Sequence, residues 1–298
     1  MGLVLVGVAG YVAYQIQHRG GPPSAGCTVR AEGRKLDLTA AQAGNAATIV
    51  AVATARSLPE RAMTIALATA LQESRLENLN SGDLDSLGLF QQRPSQGWGT
   101  ERQILDPVYA TNVFYDSLVK IDGYTRLPLT VAAQKVQKSG YPQAYAKQEA
   151  DATLLSVALA GHDASALSCT TGAATADSAG GPAGRTATVT ARLTREFGAQ
   201  VKPRPDDRLP RTVAVPATVP AGKGSGGAPA DRIRRGWEVA LWAVAHARDL
   251  KVEEVSFGGA HWLAAQSAKG WQNAPRDQRV SATVRAASDG LVRITVAG

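Results

Sequence analysis

The segment ALQESRLENLNSGDLDSLGLFQQ, from Ala70 to Gln92, constrains the fold of this chain more than any other. An apolar helical run ends on a carboxylate, Glu73, followed by Ser74. A polar, turn-rich loop comes next, and fifteen positions after Glu73 the chain turns through Gly88-Leu89-Phe90-Gln91. Any fold must therefore end a buried helix on an ionisable group and display that end beside a glycine turn. A lone glutamate shown to a sugar cleft can cleave a glycosidic bond, provided it carries a proton until the leaving oxygen needs one.

The pattern around this segment is helical. TVRAEGRKLDL alternates about Glu32-Gly33 like a short hairpin, and Thr39 then caps an Ala-rich helix running to about Leu58. Pro59 starts the next helix, with Met63, Leu67, Ala70 and Leu71 on one stripe and Glu73 near the carboxyl end. DPVYATNVFYDSLVKI, LTVAAQKVQKSG and the stretch from Pro142 to Ala160 read as further amphipathic helices. These patterns predict an all-α domain over residues 27–169.

At 298 residues the chain exceeds one ordinary core, so two domains are expected. TTGAATADSAGGPAGRTAT is poor in large apolar residues and predicts a flexible linker over 170–186. Residues 187–298 then offer helices in TATVTARLTREFG and IRRGWEVALWAVAHARDL and strands in RTVAV and VEEVSF. VSATVRA and LVRITVA flank a Ser-Asp-Gly turn as a predicted hairpin. The expected class is α+β overall, an all-α domain followed by a small α+β domain of unassigned role.

The opening GLVLVGVAGYVAYQI is apolar for roughly 14 residues, short of the ~20 that span a bilayer but right for a signal h-region. Residues 1–26 are expected to be a signal or membrane-anchor segment with a spacer. With the basic n-region missing, the natural start is expected to lie upstream. Cys27 and Cys169, the only two cysteines, flank the first domain and are expected to form a disulfide in an exported chain. A net charge of +7 favours polyanionic neighbours. The basic residues are dispersed without an aromatic-interleaved patch, which argues against nucleic acid.

Glu73-Ser74, Gly88-Leu89-Phe90-Gln91 and Pro94, in letters and spacing, resemble the signature of soluble lytic transglycosylases and goose-type lysozymes. LDPVYATNVFYDSL resembles that family's Asp-Pro segment, and TVAAQKVQKSGYPQAYAK occupies the place of its Ala-Ala-Tyr-Asn-Ala-Gly motif. The resemblance covers about residues 40–165. SLGLFQQRPSQGWGT and ILDPVYA are similar to lysozyme-like domains of actinobacterial exported cell-wall proteins.

The resemblance implies a lysozyme-like fold acting on peptidoglycan glycan strands at the cell envelope. Glu73 would serve as general acid and then general base, with the substrate's acetamido group doing the work of a second carboxylate. Ser74, Gly88, Leu89, Phe90, Gln91, Trp98, Gln137 and Tyr141 are the expected substrate-binding residues. The family pattern breaks where its carboxylate-steadying tyrosine corresponds to Gln134 and the neighbouring asparagine to Lys135. Tyr141, Tyr145 and Gln137 are near enough in sequence to substitute.

Asp83 and Asp85 are candidates for a second carboxylate or, as Asp in turns commonly is, for local backbone bonding. Trp98 suits stacking on a sugar face or a hydrophobic lid. GWEVALWAVAHARDLKVEEVSFGGAHW faintly resembles a module related to zinc peptidases, but His246 and His261 lack the paired ligands such a site needs, so neither a metal nor an organic cofactor is expected. His246 reads as a packed core residue and His261 as part of a turn. A catalytically impaired domain holding glycan or partner proteins as an envelope scaffold is the alternative.

Overall fold

The computed structural model describes residues 26–138, 142–172, 181–218, 228–273 and 290–298. Residues 1–25 with the apolar segment, Tyr141, residues 173–180 of the expected linker and the first arm of the expected C-terminal hairpin lie outside them.

The chain is α+β as a whole, but residues 27–169 do not form the expected all-α lysozyme-like domain. Strands β1 (Gly26–Ala31), β2 (Arg34–Thr39) and β3 (Leu167–Thr170) make an antiparallel sheet in the order β2-β1-β3. Glu32 and Gly33 both take positive φ, 51° and 74°, the geometry of a two-residue I′ hairpin. β3 returns after the last helix of this half to pair with the other edge of β1. Four residues with a partner some 140 positions away, as Cys27 is from Cys169, leave too little alternation for periodicity to register. Cys27 faces Cys169 in this ladder, and the two are joined as the expected disulfide.

Thr39 then begins α1 (Ala40–Ala55) through a capping box, its hydroxyl accepting from Gln42 N while Gln42 Oε1 accepts from Thr39 N at 2.8 Å. α2 (Glu60–Ser74) is buried without interruption from Ala62 to Ala70 and forms the axis of this half. Around it pack α3 (Pro107–Leu118), α4 (Leu129–Gln137), a 3-10 stretch at Pro142–Gln148 and α5 (Glu149–Leu159). The expected helix from Pro142 to Ala160 thus splits into a 3-10 and an α segment.

Of the expected linker 170–186, residue 170 closes β3 and residues 181–186 are already inside α6 (Gly181–Phe197). The second half is a six-stranded antiparallel sheet, order β4-β5-β9-β6-β7-β8. Its strands are β4 (Arg204–Pro205), β5 (Thr212–Pro216), β6 (Val252–Phe257), β7 (Ala260–Leu263), β8 (Gln272–Asn273) and β9 (Leu291–Val296). α6 and α7 (Pro229–Ala245) cover the sheet. His261 lies in β7 and not in a turn, while His246 is buried as expected. Trp237, Trp242 and Trp262 are core.

The two halves share one core, because α1 is covered by α2 and α3 on one side and by α6 and α7 on the other. Tyr115 donates to the carbonyl of Ile49 at 3.1 Å, and Thr54 donates to the buried carboxylate of Glu238. Gly161, after α5, has φ +80° and sits so close to α7 that a Cβ would come 2.1 Å from the Arg234 carbonyl. Only glycine fits there.

Within this shared core Glu196 is almost fully buried, accepting from Trp242 Nε1 at 2.7 Å and Arg192 Nε at 2.8 Å, with His246 Nε2 3.7 Å away. Burial pushes its carboxyl up, but the neighbouring His246 ring and the Arg192 guanidinium pull harder and hold it at about 2. A depressed folded-state value means that this stabilisation is present above the ordinary glutamate range and is lost as pH falls toward 2. Glu196→Gln is expected to flatten the acid limb of stability between about pH 4.5 and 2 and to destabilise at neutral pH. Urea midpoints across that range measure it; an unchanged acid limb would refute the assignment.

Candidate active site around Glu73

The end of α2 is held from several directions. Arg75 takes left-handed φ at 55° and Leu76 at 62°, which stops the helix and turns the chain out. Two α1 side chains cap the freed carbonyls, Gln42 Nε2 donating to Arg75 O at 2.9 Å and Asn45 Nδ2 to Leu76 O at 2.8 Å. Ser74 is buried and donates to Ala70 O at 3.0 Å and Leu89 O at 2.7 Å, tying the helix end to the glycine turn. The fifteen-residue spacing thus closes a loop whose two ends are bonded to each other.

The turn is fixed equally well. Leu87 and Gln92 exchange backbone hydrogen bonds at 2.9 and 3.0 Å, and Gly88 N donates to Leu79 O at 2.7 Å. Gly88 has φ +73°, and a Cβ there would come 2.7 Å from Ile104 O. Leu89 and Phe90 are fully buried, with Phe90 stacked on Phe114 at 4.6 Å. Their side chains are core, and only their backbone belongs to the site. Gln91 folds back, accepting from Ser86 Oγ at 2.9 Å and donating to Gly88 O at 3.2 Å.

Glu73 itself is half-buried on the last turn of α2. Tyr145, fully buried in the 3-10 stretch, donates its hydroxyl to Glu73 Oε1 at 2.5 Å. A tyrosine therefore does reach the carboxylate, from a position eleven residues after Gln134. Beside it Gln148 Nε2 donates to Gln72 Oε1 at 3.1 Å, fastening the 3-10 stretch to α2. The sequence signal for Tyr145 was its place in GYPQAYAK, which offers Tyr141 and Tyr145 as substitutes without choosing between them. Gln137 donates to Phe90 O at 2.7 Å and so braces the turn.

Asp85 does not join Glu73. Its oxygens accept from Arg93 Nε at 2.6 Å, Ser95 N at 2.8 Å and Ser95 Oγ at 3.0 Å, and the Arg93 bond, followed by the two from Ser95, holds its carboxyl well below the usual range. It organises the loop after the turn. Asp83 is exposed, and its backbone carbonyl accepts from Ser86. Trp98 is half-buried on the wall of a neighbouring groove of about 520 Å³, formed between the 91–98 loop, the end of α3 and α4. Gln91, Gln92, Gln137, Lys120, Lys135 and Lys138 share that wall. Lys120 and Lys138 carried no signal in the sequence beyond general basicity, and Lys135 stood out only as a departure from the family's asparagine.

Among the described residues no three His, Cys, Asp or Glu side chains are grouped to hold a metal ion. The site offers one carboxylate, a phenol bonded to it, and a backbone turn braced by Ser74 and Gln137. Such a set can move protons at an oxygen without an electrophilic ion.

Replacing Tyr145 by Phe keeps the buried ring and removes only the hydroxyl. On the glycosidase activity that the resemblance implies, we expect a fall in kcat of roughly ten- to a hundredfold, the size that a misplaced catalytic group costs, with KM little changed. Steady-state kinetics on soluble glycan strands checks this, and a loss confined to KM would assign Tyr145 to binding instead. No protein-family model matches the chain, and no curated protein matches it.

Proposed function

We propose that this protein is a glycosidase of peptidoglycan strands, of the lytic transglycosylase or lysozyme reaction type, with Glu73 as general acid and base. The observation that carries the reading is the half-buried Glu73 carboxylate bonded by Tyr145 at the end of α2. Protonated Glu73 gives its proton to the bridging oxygen as the glycosidic bond breaks, and the substrate's acetamido oxygen covers the anomeric carbon. Glu73 then takes a proton from the attacking hydroxyl, either the muramyl hydroxymethyl, leaving an anhydro-sugar, or water, leaving a reducing end. Tyr145 is a positioning residue that keeps the carboxylate aimed through both steps.

The disulfide Cys27–Cys169 fits an oxidising compartment. The protein then works outside the membrane at the cell envelope, with residues 1–26 as a signal or membrane-anchor segment and spacer. No described helix is long and apolar enough to cross a membrane.

The scaffold alternative rests on Gln134 standing where the family has tyrosine, and on Gln91 being spent on its own turn. Zymography on purified cell walls, followed by mass spectrometry of released fragments, separates the readings. Release of muropeptides by native protein supports the enzyme, and binding without any release supports the scaffold.

A further inference from the structure

The carboxyl-terminal sheet has two unlike faces. Val213, Ile294, Val255 and Trp262 stand opposite one another across β5, β9, β6 and β7 and belong to the buried core. Side chains alternate along a strand, so Thr212, Thr295, Glu254 and Leu263 form one row on the other face. The β6–β9 register shifts between Val252 and Glu254, and this bulge lets consecutive Glu253 and Glu254 both border a cavity of about 420 Å³. Small-molecule sites commonly enclose ~300–1,000 Å³.

What this cavity offers an occupant is acceptors. Among the described residues that line it the cation is Arg211, which pairs with Glu253 at 3.1 Å and donates to Val296 O at 2.9 Å. Thr212 donates to Pro210 O at 3.2 Å, so the 2.9 Å bond between the Thr212 and Thr295 hydroxyls takes its hydrogen from Thr295. Both hydroxyl protons are thus used within the wall, and half-buried Thr295 keeps free lone pairs. Glu254 is also half-buried, and no described residue bonds to it or pairs with it. Burial, and then repulsion from Glu253, push its carboxyl above the ordinary glutamate range. A cation brought beside Glu254 offsets both costs. The remaining wall is apolar, built from Leu209, Pro210, Leu263, Ala264 and Ala265. Such a wall suits methylene groups and cannot complete the oxygen shell of a hard metal ion.

We infer that this cavity binds a primary ammonium group carried on an aliphatic stem, as in a lysine side chain or a small alkylamine. Glu254 pairs with the ammonium, Thr295 Oγ1 accepts from it, and Leu209, Pro210 and Leu263 pack on the methylenes. Two acceptors on adjoining strands match the divergent donors of an ammonium better than the planar fork of a guanidinium. None of the residues around Glu73 takes part.

The test is isothermal titration of the full chain with three probes: the capped tripeptide Ala-Lys-Ala, the same tripeptide with its lysine Nε-acetylated, and pentylammonium. The expected result is at least about tenfold tighter binding of the free-lysine than of the acetylated tripeptide, the scale of one charged hydrogen bond. Glu254→Gln keeps the shape of the side chain and should erase that preference without lowering Tm. Ala265→Phe, at an exposed rim position, keeps the carboxylate but fills the cavity and should erase it too. Glu73→Gln should leave it intact.

Pentylammonium binding as tightly as the lysine tripeptide identifies a free amine as a sufficient occupant, and tighter binding of the tripeptide identifies a peptide side chain. Equal binding of the free and acetylated tripeptides, binding of neither, or a preference that survives both Glu254→Gln and Ala265→Phe overturns the site. Should Glu254→Gln fold poorly, Ala265→Phe decides. A preference lost in Glu73→Gln instead would assign the amine to the other half of the chain and overturn it as well.

Discussion

Glu73→Gln is expected to lower release of soluble muropeptides by roughly 10²–10⁴-fold, the usual contribution of a positioned acid–base group. The amide keeps the size of the carboxyl and one acceptor for the Tyr145 hydroxyl, but it can neither give nor take the proton. The helix end is held by Ser74, Gln42 and Asn45 and not by Glu73, so the variant should fold like the native protein. Turbidity clearing of cell-wall suspensions, with strand binding measured in parallel, distinguishes loss of chemistry from loss of substrate. Undiminished clearing by the variant would remove Glu73 from the mechanism.

Breaking the Cys27–Cys169 bond should have the largest effect on stability. The bond joins positions 142 residues apart, and cross-links over loops of that length contribute about 2–5 kcal/mol by restricting the unfolded chain. Both sulfurs are buried in the β1–β3 ladder, so the paired Cys27→Ala, Cys169→Ala variant also loses packing. A fall in Tm of at least about 5 °C is expected in thermal melts. The reduced native protein should behave similarly, and a Tm unaffected by both treatments would show that the ladder holds without its staple.

The helices were legible where their signals were local. Thr39 with Gln42 marks the start of α1, and the apolar stripe leads to Glu73 at the end of α2. The loop from Glu73 to Gly88 was equally plain, because its glycine and serine have fixed structural tasks. What escaped depends on distant pairings. β3 has no identity until β1 lies beside it, and a domain summarised by its helical periods loses its sheet. Asp85 showed a carboxylate near the site but not the Arg93 and Ser95 groups that occupy it. Tyr145 was one of two tyrosines within reach in the sequence, and it is the 3-10 turn between Pro142 and Gln148 that brings it to Glu73. Lys120 and Lys138 were invisible because surface lysines are common, and only the shape of the groove gives them company.

The double-sided covering of α1 has a consequence for how this protein can be divided. A fragment ending at Gly172 would retain the disulfide, Glu73 and Tyr145, yet it would strip the helix of α6 and α7, leaving Thr54 without Glu238 and a wet apolar flank beside Gly44. Helices α6 and α7 therefore serve as the second wall of the half that carries Glu73, and neither piece is a module that can be shuffled intact into another chain.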